Sequence, residues 1–181
     1  MRRFQKQFIM KKILISLFAL MAVMTVQAQS ICASWRTMQP IVENDEDGSL
    51  AIQNFIYTFN EDGTFSMADE FTISTEPAPT MAMEIATNIE LKGNYTLEGD
   101  QLKLTPDINT YKAEMLSLSM NGKVTSNPMV SSQVKGLLNS NEFKTQFAQE
   151  ETNNVKINGD MLEMTKDGET MTFTRFATIQ N

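Results

Sequence analysis

The sequence predicts an all-β fold with one helical insert, wound as an antiparallel up-and-down β-barrel or a coiled half-barrel. Three observations predict it. From Met81 to Leu97 the odd positions Met81, Met83, Ile85, Ile89, Leu91, Tyr95 and Leu97 are apolar, and the even positions are small or polar. A period of two sends one face of a strand into a core and the other into water. Similar stretches follow one another through tight-turn signals with no alternation of strand and helix, which disfavours a parallel sheet. The period changes once, after Asn127-Pro128, where Val130, Val134, Leu137 and Leu138 recur on one helical face.

The first residues read as an address rather than as fold. Arg2, Arg3, Lys6, Lys11 and Lys12 precede an apolar run from Ile13 to Val26, and Val26-Gln27-Ala28 fits a small-residue cleavage site. The expected signal peptide is 1–28, with Met1 or Met10 as its start, followed by a single domain over 29–181. The apolar run is shorter than the roughly 20 residues that cross a bilayer, so the mature chain is expected to carry no integral membrane segment. The expected destination is outside the cytoplasm: periplasm, outer-membrane surface or medium. Cys32 is the sole cysteine, which excludes an intrachain disulfide. Ile31 stands where a lipid-anchored cysteine wants a small residue, so Cys32 is expected to be a small, partly buried hydrophobe.

The elements follow in order. Ile31 to Val42 is the first apolar stretch, with Pro40 as an irregularity, and Glu43 to Gly48 is an acidic turn. Leu50 to Phe59 reads as a strand, Asn60 to Gly63 as a hairpin turn, and Thr64 to Ile73 as its partner. Thr75 to Thr80, with Pro77 and Pro79, reads as a stiff loop. The stretch from Met81 to Leu97 would extend about 55 Å as one strand, so it is expected to coil, break or bend, at Gly93 or Asn88. Gln101 to Thr105 is a strand ended by Pro106, and Tyr111 to Met120 another, closed by Asn121-Gly122. Lys123 to Ser126 extends the pairing. The helix spans about 128–149, interrupted or recapped at Asn139-Ser140-Asn141, with Phe143 and Phe147 continuing its apolar stripe. Val155 to Ile157, Met161 to Thr165 and Thr170 to Ala177 form a closing meander, for seven to nine strands in all. The turn and strand at 97–105 are echoed at 157–165, one hairpin solution used twice.

These residues resemble the small secreted bacterial lipocalin-like proteins of the calycin group. The resemblance rests on Trp35 in the first strand, Tyr57 to Phe65 around Asn60-Glu61-Asp62-Gly63, Gly93-Asn94-Tyr95 leading to Gly99-Asp100-Gln101-Leu102, and Arg175 in the last strand. It implies a barrel with an apolar interior, open at one end, in which Trp35 packs under Arg175, an indole face meeting a planar cation. Ala33 replaces the glycine that sits two before the tryptophan in that family, and the helical insert is closer to META-type domains.

Composition excludes several activities. There is no histidine, the usual general base near neutral pH and the commonest zinc ligand. No nucleophile elbow, P-loop or dinucleotide fingerprint occurs, so the chain is expected not to be an enzyme and to need no cofactor. The formal charge is −7, and it becomes more negative once the basic leader is removed, which argues against nucleic acid or anionic lipid as partner. The acidic turn fails as a calcium loop because Asn54 stands where a bidentate glutamate is needed. The methionines, among them Met81, Met83, Met161, Met164 and Met171, are better read as gap-filling core than as soft-metal ligands. Glu84 and Glu90 fall on the wet face. Asp69 shares a face with Phe65, Met67 and Phe71; a bulge or strand end is favoured there over a role in orienting a ligand or pairing with Arg175.

The expected function is therefore an exported, non-enzymatic lipocalin-like barrel that binds a small apolar ligand. Phe55, Tyr57, Phe59, Phe65, Met67, Met83, Ile85 and Tyr95 are the candidate lining. The alternative is a structural or protein-interaction module of the cell envelope, META-like, with no ligand pocket.

Overall fold

The computed structural model describes residues 30–44, 48–78 and 81–176. The expected leader, Asp45 to Asp47 of the acidic turn, Pro79, Thr80 and the end of the last expected strand lie outside the described residues. The contacts divide the chain into Met1–Ser30 and Ile31–Asn181, and the fold described below is that of the second unit.

Ten strands and two helices are described. The strands are β1 (Ser34–Thr37), β2 (Ile41–Asn44), β3 (Gly48–Phe59), β4 (Thr64–Ala78), β5 (Met81–Glu98), β6 (Gln101–Met120), β7 (Lys123–Val124), β8 (Glu151–Asn158), β9 (Met161–Lys166) and β10 (Glu169–Phe176). The helices, α1 (Pro128–Leu138) and α2 (Asn141–Phe147), fall between β7 and β8. All pairings are antiparallel, in the order β3-β4-β5-β6-β8-β9-β10-β1. β1 then pairs with β3 as well, Trp35 lying opposite both Arg175 and Tyr57, and the sheet closes into a ring. The expected up-and-down barrel with a helical insert is the observed fold.

The ring is uneven in height. β4, β5 and β6 run 15, 18 and 20 residues, whereas β8, β9 and β10 run 8, 6 and 8. β6 meets β8 only through Gln101–Leu104, so its upper half leaves the ring with β5. The inner face of that tall hairpin is apolar, and the insert covers it: Val134 and Leu138 of α1 pack on Ile85 and Leu118.

Two expectations about strand ends are corrected, and the long strand stays paired. β5 does not break: it pairs along its whole length, and the irregularities lie in β6, which takes five steps from Asp107 to Lys112 while β5 takes two from Lys92 to Glu90. The extra residues form a local turn in which Asp107 Oδ1 accepts from the Asn109 amide at 3.0 Å, and Thr110 Oγ1 accepts from the Lys92 amide at 2.8 Å. An odd insertion flips the pleat, so the inward residues of β6 change from Leu102 and Leu104 to Tyr111 and Ala113. Pro106 does not end its strand. It crosses Gly93 so closely that a Cβ there would lie 2.7 Å from both Pro106 Cα and the Phe65 ring, which is why glycine occupies the site. The expected loop at Thr75 starts later, because β4 continues to Ala78.

The turn at Asn121-Gly122 has φ of 49° and 73°, both positive as a type I′ hairpin needs. Met81 and Leu97, expected inside, are partly exposed where β5 outruns its cover, as is Met161 at the start of β9. The echo at 97–105 and 157–165 buries Leu102, Leu104, Leu162 and Met164 behind two glycine turns.

Candidate functional site

The inward face of β4 reads Phe65, Met67, Asp69, Phe71, Ile73 from one barrel end to the other. The first two belong to a packed aromatic core. Phe55 and Tyr57 have ring centroids 4.8 Å apart, Tyr57 and Phe59 5.5 Å, and Phe59 and Tyr95 5.1 Å edge to face. Trp35 lies beneath them with 0% exposure, its Nε1 donating to the Ile31 carbonyl at 2.7 Å. The Arg175 guanidinium carbon sits 4.8 Å from the indole centroid. Outside this end, the hollow beside Cys32, Phe59 and Arg175 is an open surface groove. Cys32 is partly buried, with Sγ 3.3 Å from the Tyr95 hydroxyl.

The other end of the same face opens into a half-open cavity of about 510 Å³. Its apolar walls are Leu50 and Ile52 of β3, Phe71 and Ile73 of β4, and Phe143 and Phe147 of α2. Local sequence explains the helix placement. Asn127 caps α1, accepting from the Met129 amide at 3.0 Å, and Ser140 caps α2, accepting from the Phe143 amide at 3.2 Å. Phe143 and Phe147 are four apart and therefore share a face, with ring centroids 5.3 Å apart. Phe147 lies nearly parallel to Phe71 at 6.2 Å, and against Tyr111 at 6.1 Å. The Tyr111 hydroxyl donates to the Leu138 carbonyl at 2.9 Å, satisfying the end of α1 and tying it to the barrel.

A second hollow, of about 660 Å³, lies where β2 parts from β10. β1 pairs with β10 as far as Thr37, and the Met38 amide donates to the Thr172 carbonyl at 3.2 Å. After Pro40 the chain continues as β2, paired with β3 alone. Glu43 and Ile52 border both hollows.

Asp69 lies among the cavity-lining residues. It is 6% exposed, and its Oδ1 has no hydrogen-bond partner within the protein. Burial pushes its carboxyl up to about 7. It is not at a bulge: Asp69 stands in register with Phe55 and Ile89, and the nearby irregularity belongs to β3, between Ile52 and Asn54. Arg175 Nε lies 3.8 Å from Asp160 Oδ1. Deeper in the barrel the Tyr57 hydroxyl donates to Glu151 Oε1 at 3.4 Å. Burial first, and the Glu151 carboxylate second, hold that phenol well above the usual range.

The candidate lining residues thus divide between two clusters. Phe55, Tyr57, Phe59, Phe65, Met67 and Tyr95 pack in the main core, and Ile85 and Met83 pack under α1. None of the eight borders the cavity beside α2. The residues that do lie further along the same inward faces, beyond Asp69. The signal for them was in the sequence: a carboxylate interrupting an apolar face, and a Phe143/Phe147 pair with no partner on its own helix.

Among the described residues no three His, Cys, Asp or Glu side chains are grouped to hold a metal, and no helix is long and apolar enough to cross a membrane. No protein-family model matches the chain, and no curated protein is significantly similar to it.

Proposed function

We propose that the protein is an exported, non-enzymatic carrier of lipocalin-like build that takes a small apolar molecule into the cavity between β3, β4 and α2. One observation carries this reading: a half-open hollow of about 510 Å³ walled by Leu50, Ile52, Phe71, Ile73, Phe143 and Phe147 inside a closed barrel. That volume is in the range of small-molecule sites, which are mostly apolar with a few placed polar groups. Exposed Val124 on β7 and Met129 and Leu137 on α1 favour a second reading, an interaction module whose barrel is only a core.

Native mass spectrometry of protein purified gently from its source decides between them. A retained small molecule, lost when Ile73→Trp fills the cavity, supports the carrier. Repeated absence of any bound molecule, together with no uptake of apolar probes, sinks it.

A further inference from the structure

The cavity is not chemically neutral. Its buried carboxyl, Asp69, has an oxygen with no partner in the protein. Glu43 stands at its edge, and the remaining polar lining consists of Asn, Ser, Thr and Gln side chains. Among the described residues neither lysine nor arginine lines the cavity. Lys144 of α2 sits instead over the Tyr111 ring, 5.7 Å from its centroid. Resting on the carrier reading above, we infer that the ligand is an organic cation, an apolar body carrying one protonated amine, with Asp69 as its counter-ion.

Each alternative leaves a cost that this one removes. An anionic ligand such as a fatty acid would bring a second negative charge beside a carboxylate in a poorly solvated site. A purely apolar ligand would take the remaining water from the Asp69 carboxyl and offer it no partner in exchange, the expensive outcome for a buried polar group. An ammonium group on the Asp69 side of the cavity meets the charge of that carboxyl and neutralises the site, and charge-assisted contacts of this kind are about twice as strong as neutral ones. Phe71 and Phe147, whose rings lie nearly parallel at 6.2 Å, are aromatic walls of the same cavity. The net charge of −7 further raises the local concentration of cations over anions.

The test compares three probes with one ring system at pH 8: 1-naphthylmethylamine, 1-naphthylmethanol and 1-naphthylacetate, titrated against the full mature chain by calorimetry. The expected order is amine over alcohol by tenfold or more, with the acetate weakest. Asp69→Asn is expected to abolish the amine's advantage over the alcohol. The wild-type order decides the matter alone if that variant does not fold. Equal binding of amine and alcohol, or an amine advantage that survives Asp69→Asn, overturns the inference and leaves the carrier reading standing. No binding by any of the three overturns the inference, and it removes the carrier reading as well when native mass spectrometry also finds no retained molecule.

Discussion

The two ends of this barrel are built from the same strands and finished differently. At the Trp35 end, aromatic rings meet at 5–6 Å, the indole is sealed from water, and Arg175 lies over it. At the α2 end the strands of one side stop early, the first strand breaks at Pro40, and a seven-residue helix leans over a hollow. Ring contacts recur at both, edge to face in Phe59 with Tyr95 and nearly parallel in Phe71 with Phe147. In the first case the pair is part of a filled core, and in the second it forms one wall of a space. Filling an interior to crystal-like density gives stability and a single arrangement; leaving one end underfilled, with a carboxyl inside, gives up some of that stability. The contrast indicates that the Trp35 end holds the ring closed so that the α2 end can remain open.

The largest effect should separate the ends directly. Trp35→Ala is expected to lower unfolding stability by about 3–5 kcal/mol, the usual cost of deleting a sealed aromatic. Phe147→Ala, at a half-buried position, is expected to cost about 1 kcal/mol while weakening 1-naphthylmethanol at least tenfold. Urea unfolding and probe titration on both variants measure this. Equal stability losses would mean that α2 belongs to the core and that the two ends do not differ.

The next effect is one of pH. Asp69 has its carboxyl raised by burial to about 7 from an ordinary value of 3.8. The folded chain therefore holds that proton more tightly than the unfolded chain. The contribution favours folding below about pH 4, declines as pH rises to about 7, and is level above that. The full change is about 4 kcal/mol at one free-energy increment per pKa unit. Tyr57 stays protonated throughout, since its phenol is displaced upward. Asp69→Asn is expected to flatten the pH 4–7 stability profile and to leave the variant more stable than wild type at pH 8. Urea midpoints at five pH values test it; an unchanged slope would mean that the cavity end is as well solvated as open surface.

How much of this was legible beforehand depended on the range of the forces involved. Alternation from Met81 to Leu97 and the Asn121-Gly122 turn are local, and they specified strand, face and hairpin. The inward residues of β3 and β4 were correct one by one. Which of them would touch each other and which would border space depends on strand length, and Pro106 misled there: proline was read as a stop, whereas Gly93 opposite it made room for the crossing. Asp69 stands out in the sequence as a carboxylate on an apolar face, where an edge or bulge is the expectation because a buried unpaired carboxylate is costly. The structure keeps that cost in mid-strand. Phe143 and Phe147 were seen as a stripe, and only the early end of β8 to β10 explains what the stripe faces.

The smallest predicted effect tests whether the ends are independent. Arg175 covers Trp35 by its guanidinium, and its contact with Asp160 is exposed on the carboxylate side, where such a pair contributes little. Arg175→Met keeps an unbranched apolar stem over the indole and removes the charge, so the loss should be about 0.5–1 kcal/mol. Trp35 is the only tryptophan in the chain, so its fluorescence reports this contact without interference, and a shift in emission on substitution is expected. Probe affinity at the α2 end should stay within twofold of wild type. If it moves further, the indole–guanidinium pair is setting the shape of the cavity from the far side of the packed core, through the shared rungs of β3 and β4, and the two ends act as one structure.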